Sequence, residues 1–390
     1  MKVRPARRIA TVLASAALLT PLAACGGSAE SPSDSAAGIP TATGDHELAS
    51  ACGDDVAIQL QWQPQSDMGA LFELLGEDYQ VDTEAKSVTG ALVFDGADTG
   101  VDLTLKAGGP AIGFQSVSSQ MYVDDNIDLG LVHGDELIAA AAAQPVVGVT
   151  PLLKYTPQML MWDPASYGED LQIPEINGLD APVVVASGTV FSAWLVDKGF
   201  VRSDQIDTSY DGNPSRFVGD TQIIQQGFAN SEPYTYEFDT PAWGRKVSFQ
   251  LLKDAGYNIY ASNLSVRRDR LEEMAPCLEK LVPMVQQASV DYLADPAPAN
   301  AKIVDVVAQD PSMSPYSDGE AEYSARYLAD AGLIGPEADG SVGTYDFERV
   351  DSFVAELAPV LRSGGADVPQ DVSGKQLFTD RFADHSIGMD

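Results

Sequence analysis

The stretch IQLQWQPQSDMGALFELL, residues 58–75, sets the expectation for the fold. VAIQLQW (56–62) predicts a buried strand. DMGALFELLGEDY (67–79) predicts the helix that follows it, with Asp67 as a candidate helix cap. A strand followed by a helix is the unit from which α/β proteins are built.

The same alternation continues along the chain to about residue 211. Further strands are predicted at 88–94, 101–106, 127–134, 145–153, 157–162, 181–188 and 203–211, and helices at 114–125, 135–143 and 189–199. Beyond residue 240 the pattern becomes helical, with segments at 241–256, 268–294, 320–332 and 347–364 and one main strand candidate at 257–266. The order predicts an α/β fold with largely parallel sheets and a helical C-terminal part.

The N-terminus has the features of an export signal. MKVRPARR (1–8) carries four positive charges and no acid, and IATVLASAALLTPLAA (9–24) is apolar. The LAAC box that ends at Cys25 is similar to a bacterial lipoprotein signal, which implies cleavage after residue 24 and acylation of Cys25. A secretory signal with a chance cysteine and an uncleaved anchor remain as alternatives.

Residues 25–51 are expected to form a flexible tether. They are rich in Gly, Ser, Ala, Pro and Thr and hold few large apolar residues, so they cannot build a core. The folded part is then 52–390. No internal apolar run approaches the 18 or so residues of a membrane helix.

Composition and charge exclude some functions. The 390 residues are 45% hydrophobic and 21% charged, which suits a large globular core in two or three domains or in one bilobed protein. Removing the four positive charges of 1–24 takes the formal charge from −34 to about −38. Such a charge repels nucleic acid and anionic membrane surfaces.

Three cysteines are present. If Cys25 is acylated, Cys52 and Cys277 remain, and two thiols in an exported protein are candidates for a disulfide. Two free buried thiols are the alternative.

Four segments in order resemble a known family. They are IQLQWQPQSDMGALFELL (58–75), LTLKAGGP (103–110), IDLGLVHGDELIAAAAAQPVVGV (127–149) and GFANSEPYTYE (227–237). Together with the acylated cysteine and the tether they resemble the solute-binding lipoproteins of ABC importers that bind nitrate, sulfonates, taurine and thiamine-pyrimidine precursors.

The resemblance implies a two-lobed periplasmic-binding-protein-like fold (type II) with ligand in the cleft between lobes. One lobe would comprise 52–152 and 237–390, and the other 153–236. The sequence departs from the family in the length of 83–100, and the cysteine- and histidine-rich signature of pyrimidine synthases in some relatives is absent. We therefore expect binding rather than synthase activity.

In α/β sheets ligands meet the loops at the carboxyl ends of strands. These loops and the resemblance give the candidate ligand-binding residues Gln61, Trp62, Gln63, Gly109, Gln115, His133, Asp135, Trp162, Ser187, Thr189, Glu232 and Tyr234.

Each candidate has an ordinary structural alternative. Both tryptophans could lie in the core, the glycines could serve a tight turn, and His133 could be a satisfied structural histidine. Asp135 could cap a helix, and Ser187–Thr189 could be an ordinary helix start rather than an anion site. DGADTGVD (95–102) lacks the spacing of a calcium loop and reads as a solvated turn.

The segment ANSEPYTYE (229–237) places Glu232 and Tyr234 near the return crossing between lobes. Period-two alternation would put Tyr234 and Tyr236 on one side and Thr235 and Glu237 on the other. We expect Glu232 and Tyr234 to face the ligand, and Tyr236 and Glu237 to serve the hinge.

No pattern for catalysis or for a cofactor is found. Gly-x-Ser-x-Gly, GxGxxG and Walker A motifs are absent, and His133 lacks metal-ligand partners at suitable spacing. We expect a monomeric, lipid-anchored, extracytoplasmic protein without cofactor or metal that delivers a small molecule to an ABC permease.

The ligand class follows from the candidate residues. Aromatic faces with carboxylates and few Lys or Arg favour a flat amino-heterocycle, such as a thiamine-pyrimidine precursor, or a cation over a sulfonate or nitrate. An exported enzyme and an adhesin or scaffold are the competing classes. They predict a reactive dyad and sequence repeats respectively, and neither is found in the sequence.

Overall fold

The computed structural model describes residues 39–389. Within them the chain forms twelve strands: β1 Asp55–Gln59, β2 Gln80–Asp82, β3 Ser87–Phe94, β4 Ala97–Lys106, β5 Leu129–Val132, β6 Val146–Leu153, β7 Gln158–Trp162, β8 Val183–Val184, β9 Ile206–Asp207, β10 Ile224–Phe228, β11 Ser248–Leu251 and β12 Ala261–Arg267. Cys25 and the predicted signal 1–24 lie outside the described residues.

The α-helices of the described residues follow in chain order: α1 Ala49–Cys52, α2 Gly69–Glu73, α3 Val117–Val123, α4 Gly134–Ala139, α5 Pro164–Tyr167, α6 Val190–Asp197, α7 Ser215–Gly219, α8 Glu232–Tyr234, α9 Leu271–Ala294, α10 Ala297–Gln309, α11 Asp318–Asp330, α12 Phe347–Ser363 and α13 Gly374–Leu377. No helix between residues 39 and 389 is both long and apolar enough to cross a membrane.

The strands form two sheets. The first has the order β2-β3-β4-β1-β5-β12-β6 and the second β11-β7-β10-β8-β9. In the first sheet β1 runs parallel to β4 and β5, but β12 runs antiparallel to β5 and β6, and β2, β3 and β4 pair as antiparallel neighbours. The expectation of largely parallel sheets is therefore wrong, because hairpins and the returning strand β12 make the first sheet mixed.

The second sheet extends further along the chain than the predicted lobe 153–236. Strand β11 pairs antiparallel with β7. The segment 241–256, predicted to be helical, therefore contains a strand and only a short 3₁₀ turn at Leu252–Ala255. Val247, Phe249 and Leu251 alternate with polar residues, and this period of two fits the edge of the sheet.

The long C-terminal helices follow their apolar periodicity. On α9 the buried residues recur at helical spacing: Met274, Leu278, Leu281, Val285, Ala288 and Tyr292. Helix α9 packs on α2 and on β6 of the first sheet. Its Cys277 forms a disulfide with Cys52 of α1, with a Cα–Cα distance of 4.7 Å.

The two sheets share buried cores. Helix α12 packs on α4, which follows a strand of the first sheet, and on α6, which follows a strand of the second. Its Phe353, Val354 and Leu357 lie in one apolar cluster with Leu137 of α4 and Trp194 of α6. The C-terminal part therefore bridges both sheets.

The segment before α1 packs on the first sheet. The Ala42 N–H donates to the Asp98 carbonyl at 2.7 Å, the Asp98 N–H donates to the Pro40 carbonyl at 2.8 Å, and Leu48 is fully buried. Residues 39–51 thus differ from the predicted flexible tether, because Leu48 gives this polar segment an apolar anchor.

Candidate functional site

Loops that follow strands of the two sheets approach each other closely. Trp62 follows β1 of the first sheet, and the loop 208–213 follows β9 of the second. An ideal Cβ on Gly212 would lie 3.9 Å from Trp62 Cζ2, which is van der Waals contact. We call the region between these strand ends the inter-sheet space.

Trp62 forms an aromatic wall of this space. It is half-buried, and Gly109 lies directly against its ring: an ideal Cβ on Gly109 would be 2.3 Å from Trp62 Cε3. Phe114 lies 6.0 Å from Trp62 between ring centroids and is 63% exposed. The lack of a side chain at Gly109 thus lets the tryptophan ring lie this close to the loop.

A polar cluster lies behind Trp62. We define it as Gln61, Asp67, His133, Glu136 and Ser262. Gln61 Nε2 donates to Asp67 Oδ2 and to Ser262 Oγ, both at 3.0 Å. The Ser262 N–H donates to His133 Nδ1 at 3.1 Å, so a neutral His133 carries its proton on Nε2.

Two oxygens of the polar cluster are buried without a hydrogen-bond partner among the described residues. They are Gln61 Oε1 and Asp67 Oδ1. Such groups are rare in folded proteins and call for an explanation. Ser262 is also held at a φ of +47°, a left-handed conformation that few non-glycine residues adopt and that is common at functional sites.

Burial dominates the electrostatics of the cluster. It raises the pKa of Asp67 from 3.8 to about 6, an effect reduced by the nearby His133. Burial also raises the pKa of Glu136, again opposed by His133, while the neighbouring Asp135 reinforces the increase. The Asp135 carboxylate accepts a hydrogen bond from the Tyr257 hydroxyl at 2.6 Å.

The second sheet contributes Glu232 and Tyr210. The Tyr210 hydroxyl donates to Glu232 Oε1 at 3.1 Å, and the Phe228 N–H donates to Oε2 at 2.7 Å. Burial raises the pKa of Glu232 from 4.5 to about 7. Tyr210 is two residues from Gly212, whose ideal Cβ would lie 3.9 Å from Trp62 Cζ2.

The structure separates Tyr234 from Glu232. Residues 232–239 are helical, with α8 followed by a π-helical turn at Thr235–Asp239, so the predicted period-two alternation is wrong. Tyr234 packs against α11, where an ideal Cβ on Gly319 would be 1.9 Å from its hydroxyl oxygen. Tyr236 is buried and accepts a hydrogen bond from Gln225.

Three other predicted residues have local structural partners. Trp162 is fully buried in the core and donates from Nε1 to the Gly168 carbonyl at 2.8 Å, so no ring face is free for a ligand. Gln63 is buried and holds the backbone of Ser314 through two hydrogen bonds, while Gln115 is exposed and bonds Gln120.

Ser187 and Thr189 lie before α6. Ser187 is exposed, and the Thr189 hydroxyl donates to the Ala186 carbonyl at 3.3 Å. The predicted candidates Gln61, Trp62, Gly109, His133 and Asp135 therefore lie together at one sheet edge, with Glu232 on the opposing edge.

Sequence reasoning missed four residues of this site: Asp67, Glu136, Tyr210 and Ser262. Asp67 was expected to cap a helix, but its carboxylate is bonded to Gln61 instead. The signal that could have found it is a carboxylate six residues after a strand-end glutamine. Ser262 and Tyr210 carry no such signal, because tertiary structure alone brings them to the site.

Comparison with known proteins identifies the class of fold. No protein-family model and no curated protein sequence matches the chain. Solved structures of ABC-type solute-binding proteins do match, and the chain has their mixed α/β, two-lobed periplasmic-binding-protein-like fold with a helical C-terminal part.

Three of these structures illustrate the match. A ligand-binding component of an ABC-type import system from Staphylococcus aureus, with zinc bound, gives a TM-score of 0.51 at 10% identity over 86% of this chain and 100% of its own. The alkanesulfonate-binding protein SsuA from Xanthomonas axonopodis pv. citri, bound to MOPS, gives 0.51 at 11% over 83% and 98%. The periplasmic aliphatic sulphonate binding protein SsuA from Escherichia coli gives 0.50 at 14% over 83% and 91%.

Proposed function

We propose that the protein is an extracytoplasmic solute-binding protein that captures a small molecule in the inter-sheet space and delivers it to an ABC permease. The observation that carries the proposal is the polar cluster, in which buried acceptors of Gln61 and Asp67 lack partners beside the half-buried face of Trp62. The fold shared with ABC-type solute-binding structures supports it.

The lobes of this proposal follow the sheets. One lobe would comprise the first sheet and the C-terminal helices, and the other the second sheet through β11. The return crossing would then be 252–260 rather than the predicted 236–237, because β11 belongs to the second sheet. The disulfide between Cys52 and Cys277 lies within the first of these lobes.

The ligand that we favour is an aromatic amino-heterocycle, such as a thiamine-pyrimidine precursor. Trp62 offers a stacking face, and the neighbouring carboxylates accept from amino groups. The alternative is a sulfonate, nitrate or taurine, because the names of the matching structures include alkanesulfonate and aliphatic sulphonate binders. An exported lipoprotein without a transport role is the remaining alternative.

The proposal includes attachment to the outer face of the cell membrane through acylated Cys25 and action as a monomer without enzymatic activity. The LAAC box supports the anchor. Mass spectrometry of the membrane-extracted protein would show an N-terminal diacylglyceryl cysteine at Cys25, and an unmodified Cys25 in the mature chain would refute the anchor.

A ligand screen tests the binding function. The purified Cys25→Ser chain is mixed with aminopyrimidines, riboflavin, sulfonates, nitrate, polyamines and a wider nutrient panel. The expected result is a raised melting temperature together with a change in tryptophan emission for at least one class. If no compound changes either signal, the chain is not a solute-binding protein.

A further inference from the structure

The unpartnered atoms of the polar cluster are both acceptors. Gln61 Nε2 donates to the carboxylate of Asp67 and to Ser262, and this fixes Gln61 Oε1 as the atom that points elsewhere. The reverse orientation would place an amide oxygen against a carboxylate. Gln61 Oε1 and the ionised Asp67 Oδ1 can therefore accept from an N–H or O–H donor but cannot pair with another acceptor.

Carboxylates around the inter-sheet space lack basic partners. Between residues 39 and 389, the ion pairs with lysine or arginine include none made by Asp67, Asp135, Glu136 or Glu232. The imidazole of His133, whose Nδ1 accepts from the Ser262 N–H, is the basic group beside Asp67 and Glu136. An anion in this space would meet several carboxylates without a guanidinium or ammonium group to offset them.

The polar cluster borders accessible space. Gln61, Asp67, His133 and Glu136 each keep part of their surface accessible, as does Trp62, although the two acceptor atoms themselves are buried. Side chains would have to move for a ligand in this space to contact the two buried acceptors.

We propose that the ligand is an organic cation that carries at least two N–H donors, bound with its positive charge at Asp67 and one N–H toward Gln61 Oε1. This inference rests on the proposed function and narrows its ligand class. A protonated amine, amidine or aminopyrimidine meets the requirement. A sulfonate or nitrate does not, since it offers acceptors alone.

Proton exchange accompanies this binding. Asp67 is faced by Gln61 from the β1 end, by His133 from the β5 end and by Tyr292 of α9, and burial raises the pKa of its carboxyl to about 6. A bound cation favours the ionised form, so cation affinity falls as the pH drops through this value. An anion would show the opposite trend, because protonation removes the repelling charge.

The test uses matched probes of different charge on the purified Cys25→Ser chain. Benzamidine, benzamide and benzoate share a ring but are cationic, neutral and anionic, and putrescine with methanesulfonate adds an aliphatic cation and anion. Melting temperature and calorimetric affinity are measured at pH 5.0 and 8.0. We expect stabilisation by cations alone, stronger at pH 8.0.

Two substitutions locate the charge. Asp67→Asn should reduce cation affinity by about tenfold or more, since it replaces the charged acceptor. Asp128→Asn is the matched control. Asp128 is also a partly buried carboxylate with a raised pKa, but it pairs with Arg270 and lies before β5, at the opposite edge of the sheet. Its loss should leave cation affinity unchanged.

The outcomes separate this inference from the function on which it rests. Stabilisation by benzoate or methanesulfonate would overturn the cation assignment but leave the binding function standing. The same holds if Asp67→Asn and Asp128→Asn lose cation affinity equally. If no cation stabilises the protein but a compound of the nutrient panel does, the assignment is also wrong. If nothing binds at all, both proposals fail.

Discussion

Replacing Gly109 by alanine tests whether the position of Trp62 controls ligand binding. Gly109 has a φ of +56°, and an ideal Cβ there would lie 2.3 Å from Trp62 Cε3. Ordinary van der Waals contact begins at 3.4 Å, so the ring or the loop must move by about 1 Å. The alanine methyl thus displaces the aromatic wall of the site.

Two costs follow from this substitution. The left-handed conformation costs a non-glycine residue about 1–2 kcal/mol of folding free energy. Loss of the stacked position of Trp62 removes about 0.5–1.5 kcal/mol from the binding of a flat ligand, or about twofold to tenfold in affinity.

Gly113→Ala is the matched control in the same loop. Gly113 has a φ of +63°, but an ideal Cβ there meets no heavy atom within 4 Å. It therefore carries the conformational cost without displacing Trp62. The difference between the two variants isolates the effect of the tryptophan.

The assay combines urea unfolding with titration of a stabilising ligand by calorimetry and tryptophan emission. Both variants should lose similar stability from the backbone, and Gly109→Ala alone should lose affinity and change the emission. Equal affinities in the two variants would refute the view that Trp62 contacts the ligand.

Three further predictions concern pH, the disulfide and the bridging helix. In the folded protein the pKa values of Asp67 (about 6) and Glu232 (about 7) lie above their unfolded values of 3.8 and 4.5. The folded state therefore binds these protons more tightly than the unfolded state. The resulting stabilisation of the unliganded protein is present below about pH 4 and is lost as the pH rises to 7. The melting temperature of wild type relative to the doubly substituted Asp67→Asn, Glu232→Gln chain should therefore fall between pH 4 and pH 7, and a relative rise would contradict the assigned burial. Reduction of the bond between Cys52 and Cys277 should lower the unfolding free energy by about 2–5 kcal/mol in urea titrations while ligand affinity stays constant, and unchanged stability would argue against the bond. Leu357→Ala should lower stability by about 2–5 kcal/mol within one cooperative urea transition, because α12 is buried against helices of both sheets, and separate transitions for the two sheets would contradict a shared core.

Much of the fold is predictable where one face of an element is apolar. The spacing of buried residues on α9 and α12 matches the helices predicted from 268–294 and 347–364. The sequence-based predictions failed where tertiary contacts determine the conformation of a segment. Strand β11 is a short segment that becomes a strand by pairing with β7. Residues 39–51 have the composition of a tether, but Leu48 is buried in the hydrophobic core on the first sheet.

Part of the candidate site is also predictable from local sequence pattern. Trp62 and His133 follow strands of a predicted sheet, and the rule that ligands meet strand carboxyl ends is enough to select them. Ser262 is a strand residue with a positive φ, and Tyr210 lies in a loop of the second sheet. No local sequence pattern predicts that either residue belongs to the site. Tyr234 was misjudged because a helical turn replaced the expected extended chain.

We expect a small molecule to bind between the two sheets. The most direct measurement is a crystal structure of the Cys25→Ser chain with a compound that raises its melting temperature. We predict that the compound contacts Trp62, with a nitrogen within hydrogen-bond distance of Asp67 Oδ1 and with Glu232 on the opposing side. A stabilising compound bound elsewhere, with these three residues unchanged, would contradict binding between the two sheets.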